Sequence, residues 1–177
     1  MIILGIDPGL ANTGWGVVEH VGSGFRCLAY GCVTTSPDQP TSARLATVHR
    51  EIAAVIQRYE PSEAAIESVY FGTNAKTAFA TGQARGVALL ATANAGLALG
   101  EYGPGEIKMA VVGTGGADKQ QVQYMVRAIL SLPEDPQPDH AADALAAAIC
   151  HAHQHKMAAI EERTAGQPTA RLGTGVN

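Results

Sequence analysis

A chain of 177 residues, 46% of them apolar, is long enough to bury a real core and fits one domain. No apolar run approaches the ~20 residues of a membrane span, and the three cysteines, Cys27, Cys32 and Cys150, form no CxxC pair, which argues against a disulfide framework and for a reducing, cytoplasmic compartment. The net charge of −4 rules out a generally basic surface, so nucleic-acid binding gets no support from total charge.

Met1 leads straight into Ile2-Ile3-Leu4-Gly5-Ile6, a strand-type run that leaves no place for a signal peptide. The run delivers Asp7 into the turn Pro8-Gly9-Leu10-Ala11-Asn12-Thr13-Gly14. Trp15 to Val21 reads as a second strand, and Gly22-Ser23-Gly24 turns it into a third, Phe25 to Thr35. After the loop Ser36 to Pro40, a helix is expected from Ser42 to Tyr59, with Leu45, Val48, Ile52, Val55, Ile56 and Tyr59 on one face and Pro61 as its stop. Glu63 to Ser68 is a short fourth strand. An alanine-rich helix follows from Asn74 to Asn94, with Gly82 and Gly86 inside it and Gly96 ending it. Leu97 to Tyr102 is a fifth strand. Pro104 suits the first position of a helix through Val112. Beyond the loop Gly113 to Gly116, Asp118 and Gln121 form a capping box for a helix to Leu130. Pro133, Pro136 and Pro138 stiffen a connector, and the last helix is expected from Asp139 to about His155. The order predicts an α/β fold: a five-stranded mixed sheet, its second strand antiparallel, with helices on both faces. One domain, 1–156, is expected, followed by a disordered tail, 157–177.

Asp7 ends an apolar strand beside a glycine turn, a setting that can hold a metal ion against a phosphate, although Asp-Pro-Gly is also ordinary turn chemistry. Glu67 ends an interior strand, where a carboxylate is costly to desolvate unless a cation or donors receive it. Glu63, at the entry of that strand, fits better as a glutamate facing water. His140 and Asp143 are three apart and share a helix face, among alanines small enough to let the helix lie close on the sheet. Asp139 could reach the same place, but after Pro138 it is well placed as a helix cap. Asp7, Glu67, His140 and Asp143 make a hard, oxygen-rich set suited to Mg2+ or Mn2+, with the imidazole favouring Mn2+. Two such ions about 4 Å apart can activate water and stabilise the departing oxygen of a phosphodiester. No Ser/His/Asp spacing or zinc-type cysteine pattern competes. From Tyr70 to Arg127 the basic residues Lys76, Arg85, Lys108, Lys119 and Arg127 outnumber Glu101, Glu106 and Asp118, and bound cations would offset part of the acidity elsewhere. Tyr70 and Phe71, directly after the Glu67 strand, could stack on bases or wedge between them. His151, His153 and His155 are better read as surface histidines than as a metal tract, since only His151 and His155 share a face.

With these residues in place, the chain resembles the RuvC family of Holliday-junction endonucleases, within the ribonuclease H-like superfamily. The resemblance covers about residues 1 to 155. It rests on Gly5-Ile6-Asp7-Pro8-Gly9 with Gly14; Ala65-Ile66-Glu67 with Tyr70-Phe71; Gly82-Gln83-Ala84-Arg85-Gly86; Val111-Val112-Gly113 with Ala117-Asp118-Lys119 and Gln121-Val122; and His140-Ala141-Ala142-Asp143-Ala144-Leu145-Ala146. It implies a ribonuclease H-like fold and a homodimer that nicks two opposing strands of a four-way DNA junction beside the RuvA and RuvB branch-migration proteins. It further implies that Asp7, Glu67, His140 and Asp143 bind two metal ions, that Lys108 and Lys119 meet DNA phosphates, and that Tyr70 probes the junction. Lys76, Arg85 and Phe71 complete the expected DNA-binding set. Many family members carry aspartate where this chain has His140. Two other readings stand beside this one. The Asp7 turn also resembles the first phosphate loop of actin- and sugar-kinase-like ATPases, but no second such loop follows. A catalytically silent nucleic-acid binder of the same fold would not need all four candidate ligands.

Overall fold

Three runs rich in β-branched and aromatic residues, separated by turn-forming breaks, open the chain and pair as a meander. In the computed structural model, which describes residues 1–68 and 75–165, these are β1 (Ile2–Asp7), β2 (Asn12–Val21) and β3 (Gly24–Thr34). β1 and β2 are antiparallel, with Asp7 opposite Gly14. β2 passes into β3 through Gly22-Ser23, where Gly22 takes a φ of +61°, a left-handed conformation that favours glycine. Helix α1 (Thr41–Tyr59) carries the chain over the sheet to β4 (Glu63–Glu67), which lies parallel to β1 with Ile66 beside Ile6. Helix α2 (Ala75–Asn94) leads to β5 (Ala98–Tyr102), parallel to β4 with Tyr102 beside Glu67. The strand order is β3-β2-β1-β4-β5. Helices α3 (Pro104–Val112), α4 (Lys119–Leu130) and α5 (Asp139–Ala165) complete the chain.

Strand alternation divides the core in two. Leu4, Ile6, Ala64 and Ile66 pack with Val48 and Ile52 of α1 and Ala88 of α2. Ile3 and Ala65 face the other way, onto Ile107 and Val111 of α3, Val126 of α4, and Leu145 and Ile149 of α5. By the same alternation Gly5 and Asp7 of β1, and Glu63 and Glu67 of β4, belong to the α5 face.

Helix α5 lies on that face with its backbone almost touching the sheet. Ala141, Ala142, Ala144, Ala146, Ala147 and Ala148 are completely buried. A β-carbon on Gly5 would come 1.9 Å from the Ala144 carbonyl oxygen, and one on Gly14 would come 1.9 Å from that of His140. Glycine is needed here for close approach, which fixes the first turn of α5 over the ends of β1 and β4.

The expected sheet and both helical layers are present. β2 begins at Asn12, three residues before the expected Trp15, because Asn12 to Gly14 also pair across to β3. Helix α5 runs to Ala165, past the end expected near His155 and past the boundary at 156. The added stretch contains good helix formers, with no glycine or proline before Gly166. Residues 166–177, where the remainder of the expected tail falls, lie outside the described residues. Among the described residues no helix is long and apolar enough to cross a membrane.

Candidate active site

The turn after β1 is tied down locally. Thr13 Oγ1 donates to the Gly9 carbonyl at 2.6 Å, and Thr35 Oγ1 to that of Leu10 at 2.6 Å. The Thr35 amide bonds the Ala11 carbonyl, and Arg44 Nε from α1 donates to Thr35 Oγ1 at 2.8 Å. Asp7 is therefore presented from a braced strand end. One step beyond the Ile6–Ile66 pair, Asp7 and Glu67 close two neighbouring parallel strands.

Above them stands the first turn of α5. His140 Nδ1 is 2.6 Å from Asp7 Oδ2, and ligand atoms of Asp7, His140 and Asp143 all lie within 4.8 Å of one another. These three come from the two ends of the sequence and form the only such metal-capable group among the described residues. Glu67 is close enough to feel both aspartates without joining the 4.8 Å group. Its pKa is pushed up to about 7 by burial and by the charges of Asp7 and Asp143, with Lys108 and Lys119 pulling the other way. Asp143 is raised by burial and by Asp7, against Lys119 and His140. Carboxylates that resist ionising beside one another are short of positive charge. A hard divalent cation suits that deficit and this oxygen-rich donor set.

The lysines partly fill the need. Lys119 Nζ lies 3.1 Å from Asp139 Oδ2 and 3.6 Å from Asp143 Oδ2. Asp139, expected as a helix cap, is the first residue of α5, and its side chain also accepts from Gln123 Nε2 at 2.8 Å. Lys119 and Gln123 hold its pKa below the usual value. The capping box that starts α4 formed as expected: Gln121 N donates to Asp118 Oδ1 and Asp118 N to Gln121 Oε1, both at 2.9 Å. It fixes Lys119 as the first residue of that helix. A pocket of about 230 Å³ opens beside the carboxylates, lined by Glu67, Asp143, Lys108 and Lys119 over Pro104, Ile107, Val122 and Ala146.

Of the other expected DNA-binding residues, Tyr70 and Phe71 lie outside the described residues, as does the side chain of Lys76. Arg85 is only 22% exposed, and its guanidinium pairs with Glu101 of β5. Among the described residues, Lys108 and Lys119 are the members of the expected basic set that line the pocket at the site itself. All three cysteines are free thiols, and burial pushes Cys27 up to about 11 and Cys150 to about 12. They offer no thiolate nucleophile near neutral pH.

Two residues read as surface groups are not. His151 is 7% exposed, with Nε2 2.6 Å from Glu63 Oε2 and Nδ1 2.7 Å from Tyr102 Oη. Glu63 therefore faces the protein interior, and His155 Nε2 lies 3.4 Å from its other oxygen. His153 is turned onto Phe25 and the Ala110 carbonyl. The spacing of His151 and His155 held the only sequence signal. The partner strand, 88 residues away, could not be read from it.

The model of the family described as "Crossover junction endodeoxyribonuclease RuvC" matches residues 3–151. The chain belongs to the RuvC family. A RuvC relative from Desulforamulus reducens is 52% identical over 152 residues, covering 86% of this chain and 93% of its own. One from Pelotomaculum thermopropionicum is 50% identical over 155 residues, covering 88% and 94%. The solved Thermus thermophilus RuvC in complex with a Holliday junction substrate matches with a TM-score of 0.86 and 40% identity, over 89% of this chain and 96% of that one. A yeast mitochondrial Holliday junction resolvase, 12% identical with a TM-score of 0.62 over 92% and 85% of the two chains, shares the fold. The fold is ribonuclease H-like, and RuvC membership makes the chain a metal-dependent endodeoxyribonuclease. The ATPase reading of the Asp7 turn is set aside.

Proposed function

We propose that this enzyme resolves Holliday junctions by symmetric nicking of two opposing strands during recombination and repair, with two Mg2+ or Mn2+ ions held by Asp7, Glu67, His140 and Asp143. The observation that carries the reading is the convergence of Asp7, His140 and Asp143 on one point, beside a Glu67 whose pKa burial and like charge push up. When bound, the ions supply an activated water and charge stabilisation at the departing oxygen. Asp7 and Asp143 bring the negative charge that retains them. His140 orients the Asp7 carboxylate through the 2.6 Å contact and adds a softer donor, which favours Mn2+. Lys108 and Lys119 stand at the rim of the pocket, where a phosphate would meet them. Asp139 at the start of α5, held by Gln123 of α4, steadies Lys119 in that arrangement. Tyr70 and Phe71 are assigned to unstacked bases at the junction.

Symmetric nicking requires two sites, and helix α2 supports a homodimer. Phe79 is 69% exposed and Leu90 54%. Between them Gly82 and Gly86 would give an added β-carbon nothing to touch within 4 Å. These four residues follow helical spacing along one exposed face, a flat apolar strip against which a second copy can pack closely. Phe79→Glu should convert the dimer to monomer in sedimentation analysis and abolish paired nicking. RuvA and RuvB are the partners expected at the junction, in the cytoplasm.

The deciding experiment offers purified protein a four-way junction and a linear duplex of the same sequence with Mg2+ or Mn2+. Symmetrically placed nicks in opposing junction strands support the reading. Equal cutting of the duplex, or no cutting with either metal, overturns it.

A further inference from the structure

The buried His151 takes no part in the chemistry above, yet it is one of the most constrained side chains in the protein. It lies eleven residues after His140 on α5, about three helical turns, so both histidines stand on the sheet-facing side. Each imidazole is held by a carboxylate from the sheet: His140 by Asp7 of β1, His151 by Glu63 of β4. His151 is also bound to Tyr102 of β5 at 2.7 Å. The Glu63 carboxylate accepts from Nε2–H, and Nδ1 meets the Tyr102 hydroxyl. Burial pushes the Tyr102 hydroxyl up to about 12, which keeps it a neutral donor. The contact is built in. A β-carbon on Gly100 would come 2.4 Å from His151 Nδ1 and 2.5 Å from Tyr102 Oη, so only glycine leaves room for the two side chains to meet there.

Between these two polar contacts, α5 meets the centre of the sheet through close backbone approach and apolar side chains: the Ala144 backbone against Gly5, Leu145 against Gly16, and the buried Ala147, Ala148 and Ile149. Apolar packing is non-directional, so the polar contacts at the two ends of this stretch are what single out one rotation and one height of the helix. Tyr102 and Glu63 belong to the strands that position Glu67: Glu63 begins the strand Glu67 ends, and Tyr102 is the register partner of Glu67. A metal centre tolerates displacements of its ligands of only about 0.5 Å.

We infer that His151, bridged between Tyr102 and Glu63, is a positioning residue that locks the register of α5 against β4 and β5 and so sets the spacing of Asp143 and His140 from Glu67. This rests on the metal-centre reading above. The test uses the full chain with Mn2+ as the probe. Three measurements are made on each variant: Mn2+ affinity by calorimetry without DNA, metal-free junction affinity by gel shift, and the kcat and KM of nicking. His151→Ala and Tyr102→Phe should weaken Mn2+ binding by about ten-fold and lower kcat, with junction affinity and KM unchanged. His151→Gln, which keeps a donor for Glu63, should recover part of the loss. Gly100→Ala should reproduce it without removing any polar group. If the variants fold, melt at lower temperature, and keep wild-type Mn2+ affinity and kcat, the network serves stability alone and the inference fails. Should His151→Ala not fold, Tyr102→Phe, which loses one hydroxyl, decides the matter. A wild-type protein that binds Mn2+ but nicks no junction would sink the proposed function, and the Mn2+ affinities would still judge the positioning role.

Discussion

Glu67 and Glu63 sit at the two ends of one five-residue strand, on one face, under one helix, and their surroundings are opposite. Glu63 meets His151 and His155, and the first of these is hydrogen-bonded at both ring nitrogens. Glu67 meets Asp7 and Asp143, and its proton affinity rises because of them. The same strand thus carries one satisfied carboxylate and one left short of positive charge. Local rules of polar satisfaction are broken at the proposed metal centre and kept at the end that holds shape.

The comparison is broken most severely at the charge-deficient end. Asp7→Asn should cut the nicking rate by about 10³-fold or more, while metal-free junction binding in a gel shift stays near wild type. Wild-type cleavage in that variant would remove Asp7 from the centre. Gly5→Ala attacks both ends at once, because it pushes α5 off the sheet. It should cost about 3 kcal/mol in urea unfolding, the upper part of the overpacking range, since backbone and not a movable side chain stands in the way.

Glu67→Gln sharpens the contrast through pH. The folded pKa of about 7 lies above the ordinary 4.5, so the folded chain holds this proton more tightly than the unfolded one. Wild-type stability therefore loses a contribution as pH rises from about 4.5 through 7. The variant should match wild type near pH 4 and exceed it at pH 8 by at most about 3 kcal/mol in metal-free melts. Saturating Mn2+ should close that gap, because only the wild type retains the carboxylate. A constant difference across pH would mean that Glu67 is not under this strain. The smallest effect is expected from His140→Asp, which exchanges imidazole for a harder donor: the ratio of Mn2+- to Mg2+-supported nicking should fall by several-fold. An unchanged ratio would point to Asp139 as the better ligand.

The charge-deficient end was the more legible of the two in the sequence. Asp7 follows an uninterrupted apolar strand into a glycine turn, Glu67 ends another strand, and His140 and Asp143 lie three apart among alanines, so each part announces itself within a few residues. The caps were legible for the same reason, as with Asp118 and Gln121. The satisfied end was not. Glu63 and His151 are ordinary polar residues in their own neighbourhoods, and only their meeting across the fold gives them meaning. The pairing of Arg85 with Glu101 was hidden in the same way, since only the sheet brings the two together. The extension of α5 to Ala165 could have been found, since helix propensity continues where apolar periodicity stops.

The contact between Asp7 and His140 spans 133 residues. During synthesis, β1 and its carboxylate emerge well before α5, the helix that carries His140 and Asp143. A chain still lacking α5 carries the Asp7 and Glu67 strands without the other two members of the proposed metal centre. On the proposed assignment, the nuclease stays inert until α5 has emerged and closed onto the sheet.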